Sequence, residues 1–167
     1  MEKIMIFEEE IKKYLKNKTT VANVFKNPEI LPETKGIYIY TAPDNYTDIE
    51  FLDTTTAKES RRGKSLLYSK DELKNNFNQG DKKILYIGCT PKGNLRKRTK
   101  LRAQYSKEKG KDIRARGGRA LWQIKDWENI GLNFYYYEIE DCETLEKFLL
   151  SLYKQQYGVW PVANRRI

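Results

Sequence analysis

Gly36-Ile37-Tyr38-Ile39-Tyr40 decides the fold together with residues 83–88, KILYIG. Both runs consist mainly of β-branched and aromatic residues bounded by turn-forming ones, which is typical of β-strands. A third run, residues 132–139 (LNFYYYEI), carries the strongest strand signal. Because helical patterns separate these runs, we predict an α+β fold: a small, mainly antiparallel sheet of three strands, 36–41, 83–88 and 132–139, flanked by helices.

Apolar residues at helical spacing predict the helices around this sheet. One helix is expected at about 5–17, and Asn94 is a candidate N-cap for the helix that follows it. Asp141 is a candidate N-cap for a helix over about 142–157. The expected buried face of that last helix consists of Leu145, Phe148, Leu149, Leu152 and Tyr153.

The polar segment 43–82 separates the first two predicted strands. It includes a possible helix at 69–77 and a basic string, SRRGK, at 60–64. A polar connection of this length is more typical of an insertion than of core structure. We therefore predict one domain over 1–167, with residues 43–82 as an insertion outside the core.

Composition excludes several classes of chemistry. The 167 residues contain no histidine, so Ser–His and Cys–His pairs and HExxH zinc sites are excluded. Two distant cysteines make neither a disulfide framework nor a zinc site. The N-terminal residues do not resemble a signal peptide, and no apolar run approaches the roughly 20 residues of a membrane span. We expect a cytoplasmic protein that does not associate with membranes.

Positive charge is concentrated in residues 92–119. The chain has a net charge of +9, and this segment contains twelve Lys and Arg against two acidic residues. Such a block favours a polyanionic partner, above all nucleic acid, over the alternative of a solvated basic surface. The candidate nucleic-acid-binding residues are Lys92, Arg96, Lys97, Lys100, Arg102, Arg114, Arg116 and Arg119.

Five sequence elements together resemble the GIY-YIG nuclease superfamily, which includes the excision-repair nuclease, intron-homing endonucleases and some restriction enzymes. In chain order they are Gly36-Ile37-Tyr38, Tyr86-Ile87-Gly88, residues 94–98 (NLRKR), a helix carrying glutamates, and Pro161-Val162-Ala163-Asn164. The resemblance covers residues 36–41 and 83–164. It implies a stand-alone DNA endonuclease, of the restriction or mobile-element type, that hydrolyses phosphodiester bonds.

The resemblance also assigns roles. It implies that Tyr38, Tyr86, Arg98, Glu146 and Asn164 are the catalytic residues. Arg98 carries a planar, permanent charge that suits a phosphate. Glu146, rather than Glu143, is expected to bind Mg²⁺ or Mn²⁺, since Mg²⁺ needs few protein carboxylates. One tyrosine is expected to help activate water, provided that nearby cations lower its pKa.

Some features depart from the family pattern. The connection between the two tripeptides is unusually long, and Cys89 stands where many relatives carry lysine. Some relatives also carry a histidine that assists the base; Lys92, Lys97 and Arg102 remain open as its substitutes. Two other hypotheses stay open: a catalytically inactive nucleic-acid-binding module with this fold, and a basic interaction protein without nuclease ancestry. Duplex DNA is the expected partner, and RNA is not excluded.

Overall fold

The computed structural model describes residues 6–44, 48–107 and 117–165. The helices and strands there, in chain order, are α1 (Ile6–Lys12), β1 (Thr19–Thr20), α2 (Val21–Lys26), β2 (Gly36–Thr41), β3 (Ser60–Arg61), β4 (Lys64–Ser65), α3 (Lys70–Gln79), β5 (Ile84–Cys89), α4 (Leu95–Lys107), β6 (Asn133–Glu138) and α5 (Cys142–Tyr157). Two short 3₁₀ helices lie at Pro28–Ile30 and Arg119–Gln123. The α+β class is confirmed.

Four antiparallel strands form the main sheet of the described residues, in the order β1-β6-β2-β5. The three predicted strands are present, and the first two are direct neighbours. The prediction of three strands is one short, because the two-residue β1 extends the sheet beside β6. All six residues of β2 are buried, as expected for a central strand that is covered on both faces.

The two faces of the sheet bury different side chains, because successive residues of a strand point to opposite sides. Tyr38 and Tyr40 lie in one apolar cluster together with Trp122. Ile37 and Ile39 lie in the other cluster, which α1 and α5 supply. The aromatic face therefore packs against α2, α4 and the second 3₁₀ helix, and this is the face that bears the candidate site.

Two predicted caps position the helices next to the site. The side chain of Asn94 accepts a hydrogen bond of 2.8 Å from the backbone N–H of Lys97, so α4 begins at the expected residue. The side chain of Asp141 accepts from the N–H of Thr144 at the start of α5. The expected burial of Phe148 is wrong: its side chain is 46% exposed. It directly precedes the fully buried Leu149 and so points about 100° away from it around the helix.

The expectation that residues 43–82 lie outside the core is wrong for their apolar side chains. Ile49 and Leu73 are fully buried, and Phe51 packs its ring 6.0 Å from that of Phe77. These four apolar residues turn inward, which the low average hydropathy of the segment does not reveal. The predicted helix is present as α3, with Ser69 as its N-cap. Within the described ranges, no helix has the length and apolar character that crossing a membrane requires.

Candidate active site

A cleft of about 620 Å³ opens on the aromatic face of the sheet. Its lining brings together all five predicted catalytic residues, which come from β2, β5, α4, α5 and the C-terminal loop: Tyr38, Tyr86, Arg98, Glu146 and Asn164. The fold therefore gathers side chains that are up to 126 positions apart in the sequence. Glu143, the alternative carboxylate, also lines this cleft.

The two tyrosines meet because of the register between β2 and β5. Tyr38 is paired with Gly88, and Tyr40 with Tyr86. The ring centres of Tyr38 and Tyr86 are 6.1 Å apart. A Cβ atom on residue 88 would lie 2.5 Å from Cζ of Tyr38, so the tyrosine ring lies across the space that glycine leaves open. The glycine of the second tripeptide thus makes room for the tyrosine of the first.

Arg98 approaches this pair from α4. Its backbone N–H donates to the carbonyl of Asn94, which places it one helical turn from the capping residue. Its Nε donates to the hydroxyl of Tyr38 at 3.4 Å. The side chain is half-buried and lines the cleft, so an anion entering there would meet a guanidinium that can form charge-assisted hydrogen bonds.

Glu146 occupies a deeper position than Glu143. Its side chain is half-buried, whereas that of Glu143 is exposed. The pKa of the Cys89 thiol is raised by burial and then by the negative charge of the nearby Glu146 carboxylate. This places Glu146 on the inner wall of the cleft. The raised pKa also keeps the thiol protonated, which agrees with Cys89 as a packing residue and not a nucleophile.

Asn164 is bound to the outer edge of β5. Its Nδ2 donates to the carbonyl of Ile87 at 2.9 Å, and its Oδ1 accepts from the N–H of Ile87 at 3.0 Å. Among the described residues β5 is a terminal strand of the sheet, so no neighbouring strand there pairs with these backbone groups. Asn164 takes the place of that strand and is a positioning residue for the segment that carries Tyr86.

The expected lowering of a tyrosine pKa is wrong for Tyr86. Burial raises its pKa well above the usual range, and the nearby Tyr38 raises it further. Arg98 and Arg102 act in the opposite direction but do not outweigh the burial. The hydroxyl of Tyr86 therefore keeps its proton at neutral pH and can donate a hydrogen bond.

Arg102 is not a nucleic-acid contact, and that prediction is wrong. Its side chain is fully buried, and its guanidinium lies 4.8–5.6 Å from the ring centres of four aromatic residues. Its Nε donates to the hydroxyl of Tyr40 at 3.1 Å, and its Nη1 donates to the carbonyl of Gly117. The rings are those of Tyr38, Tyr40, Tyr86 and Trp122. Of the three candidates for the missing histidine, Arg102 is the one that packs on both tyrosines.

Among the described residues, the other predicted basic contacts divide into three groups. Lys92, Lys97 and Lys100 are exposed, and the first two line the cleft. Arg119 is half-buried and also lines it. Arg96 is turned towards the protein, where it donates to the carbonyls of residues 29 and 31 and pairs with an acidic side chain at position 33. The predicted contacts Arg114 and Arg116 lie outside the described residues.

The cleft also contains residues that the sequence did not suggest. Tyr68, from the connection before α3, and Arg165, directly after Asn164, both line it. Neither carries a local signal, because each reaches the cleft only through long-range packing.

The acidic side chains allow only a simple metal site. Among the described residues, no three Cys, Asp or Glu side chains lie close enough to bind a metal ion as a cluster. The cleft instead offers the single half-buried carboxylate of Glu146 beside hydroxyl groups. Mg²⁺ keeps several of its waters and is commonly held by one or two carboxylates and substrate phosphates. The residues present therefore fit such an ion.

Comparison of the chain with protein-family models, with curated proteins and with solved structures finds no match in any of the three. What the cleft can do is therefore inferred from its own side chains. These include three guanidinium groups, three tyrosine hydroxyls, two carboxylates and exposed lysines around one opening.

Proposed function

We propose that the protein is a metal-dependent DNA endonuclease of the GIY-YIG type, which hydrolyses phosphodiester bonds. One observation carries the proposal: the five residues singled out by order and type in the sequence converge on one cleft. A chance set of buried tyrosines and surface charges has no reason to converge, since the residues come from five separate segments. The exposed lysines at positions 92 and 97 give the same opening a positive rim that suits a phosphate backbone.

Hydrolysis requires charge stabilisation on the phosphoryl group and a correctly placed water. Arg98 would bind the non-bridging oxygens of the scissile phosphate through its planar fork. Glu146 would hold the metal ion. A bound Mg²⁺ or Mn²⁺ supplies positive charge to the phosphoryl oxygens and lowers the pKa of a coordinated water.

The tyrosines would act through hydrogen bonds. Since Tyr86 keeps its proton, its hydroxyl would donate to a phosphoryl oxygen or orient the attacking water through its lone pairs. Tyr38 already accepts a hydrogen bond from Arg98, so the two side chains would position the phosphate together. Asn164 and Arg102 would hold the tyrosine-bearing strands rigid through their own hydrogen bonds, without touching substrate.

The competing proposal is a nucleic-acid-binding module that keeps the fold without catalysis. The deep burial of the tyrosines favours it, because Tyr38 is only 1% exposed and Tyr86 8% exposed. Buried strand tyrosines often serve packing alone. The two proposals differ in a single respect, whether bound DNA is cut.

Nicking of supercoiled plasmid DNA tests the proposal. We expect conversion to the relaxed or linear form with Mg²⁺ or Mn²⁺ and none with EDTA. Tyr38→Phe, purified in the same way, controls for contaminating nucleases, because it removes one hydroxyl and little packing volume. Wild-type protein that binds the plasmid but leaves it intact with both metals would support the binding module instead.

A further inference from the structure

Tyr68 is rigidly placed at the wall of the cleft. Its backbone N–H donates to Oε1 of Gln123 at 2.9 Å, and its carbonyl accepts from Nε2 of the same side chain at 2.8 Å. Gln123 is buried, with 1% of its surface exposed. The connection before α3 is thus anchored to the core at the point where it presents Tyr68.

Two arginines stack on this ring. The guanidinium carbons of Arg119 and Arg165 lie 4.9 and 5.0 Å from the ring centre of Tyr68, and both side chains line the cleft. Nε of Arg119 donates to the carbonyl of Leu66 at 2.9 Å, which fixes the plane of its fork. The two guanidinium groups repel each other, but their contacts with one ring hold both at a defined place, which concentrates positive charge there.

The charge of the pair is only partly compensated. Arg165 forms an ion pair of 2.7 Å with Glu72, whose side chain is 54% exposed. Nε of Arg165 is buried and has no hydrogen-bond partner among the described residues. Within the same ranges no carboxylate is paired with Arg119. A mostly buried, incompletely satisfied guanidinium is costly to keep, and an anionic ligand would offset that cost.

The pair shares the cleft with the proposed catalytic arginine, Arg98. Gly117, two residues before Arg119, passes beside Arg98, since a Cβ atom there would lie 3.6 Å from Nη2 of Arg98. It would lie 2.9 Å from the hydroxyl of Tyr86. Since Arg98, Arg119 and Arg165 line the same cleft, a nucleic-acid strand with one phosphate at Arg98 would bring another of its phosphates to the stacked pair.

We propose that Arg119, Tyr68 and Arg165 form a phosphate clamp, which binds the DNA backbone beside the phosphodiester to be cut. The inference rests on the proposed function, because it assigns part of the same cleft to substrate binding. Arginine forks bind phosphate in a bidentate manner, and stacking on Tyr68 holds both forks ready, which reduces the entropy lost on binding. The segment 43–82 then contributes directly to substrate binding by supplying the aromatic support.

The clamp is tested by the salt dependence of DNA binding in EDTA, where no cleavage occurs. Fluorescence anisotropy with a labelled duplex gives the slope of log K against log salt concentration. Each lost phosphate contact reduces that slope by about 0.9. We expect this reduction for Arg119→Gln and for Arg165→Gln, and about twice as much for the double variant. The control is Lys125→Gln, an exposed cation paired with Glu50, which should leave the slope unchanged.

Two further variants separate the charge of the clamp from its geometry. Arg119→Lys keeps the charge and loses the fork, so the slope should persist while the affinity falls several-fold. Tyr68→Leu keeps both charges and loses the support, with the same expected pattern. Thermal melts verify that each variant is folded.

Unchanged slopes in both Arg→Gln variants, with DNA bound normally by the wild type, would overturn the clamp. If the wild type bound no duplex at all, the clamp would also be refuted. Reduced slopes in a protein that never nicks plasmid would support the clamp and refute the endonuclease. Unchanged slopes in an active nuclease would refute the clamp alone.

Discussion

Replacing Gly88 by alanine places a methyl group against Tyr38, the β2 tyrosine that lines the cleft. The added Cβ would lie 2.5 Å from Cζ, 2.6 Å from Oη and 2.8 Å from Cε2 of that ring. The ring cannot simply turn away, because it is 1% exposed and lies between its neighbours Tyr40, at 6.0 Å, and Phe134, stacked at 6.2 Å. The tyrosine must therefore shift by about 1 Å to restore ordinary contacts.

This shift has a cost in stability and a separate cost in rate. Overpacking of a well-packed core costs about 1–3 kcal/mol. A displacement of about 1 Å in a catalytic group reduces the rate about a hundredfold. We expect both effects for Gly88→Ala, measured by urea unfolding and by single-turnover cleavage. Gly93→Ala is the matched control, since a Cβ there meets nothing within 4 Å, and it should change stability by less than about 0.5 kcal/mol.

A double-mutant cycle isolates the contact. In a Tyr38→Ala background the methyl group has no ring to meet, so Gly88→Ala should lose most of its cost, with a coupling energy of about 1–3 kcal/mol. An equal cost in both backgrounds would show that the strand, and not the tyrosine, resists the substitution. Full stability and rate in Gly88→Ala would refute the packing of Tyr38 across Gly88.

Three further substitutions test the chemistry and the electrostatics. Tyr86→Phe should reduce single-turnover cleavage at least about a hundredfold without altering the shape of the pH profile below about pH 9, because Tyr86 keeps its proton there. A pH inflection that disappears in this variant would contradict that. Arg98→Lys should be severely impaired in cleavage despite its retained charge, and near-normal rates would exclude a bidentate contact. Burial raises the pKa of Asp81 in the folded protein above its pKa in the unfolded chain. Protonation of Asp81 therefore stabilises the fold fully at pH values below the unfolded pKa, and this stabilisation is lost as pH rises through the folded pKa. Relative to Asp81→Asn, the wild type should therefore gain unfolding free energy as pH falls from neutral towards the ordinary carboxyl value of 3.8, and a constant difference would refute this.

Much of the fold could be predicted because its local signals agree. The strands over 36–41 and 132–139 combine β-branched and aromatic residues with clear boundaries, and Asn94 and Asp141 mark helix starts by their capping chemistry. The two-residue β1 and the six-residue α2 could not be predicted, since neither is long enough to show a period. Their structure depends on tertiary packing.

The candidate site also contains residues that the sequence predicts and residues that it does not. The order of Tyr38, Tyr86 and Arg98 along the chain anticipated a shared cleft, and the strand register brings them there. Sequence could not distinguish an arginine that faces solvent from one that is buried, so Arg102 was assigned to DNA when it supports the tyrosine rings. Tyr68 enters the cleft through contacts more than 50 residues apart in sequence, which no local pattern encodes.

The most direct test of the proposed function compares the two glutamates of α5. Glu146→Gln and Glu143→Gln each remove one negative charge and keep the side-chain shape, and both residues line the cleft. Cleavage of a labelled duplex with Mg²⁺ and binding of the same duplex without metal are measured side by side. We predict that Glu146→Gln abolishes cleavage while duplex affinity persists, and that Glu143→Gln cleaves at close to the wild-type rate. Near-normal cleavage by Glu146→Gln, or a loss confined to Glu143→Gln, would contradict the proposed site.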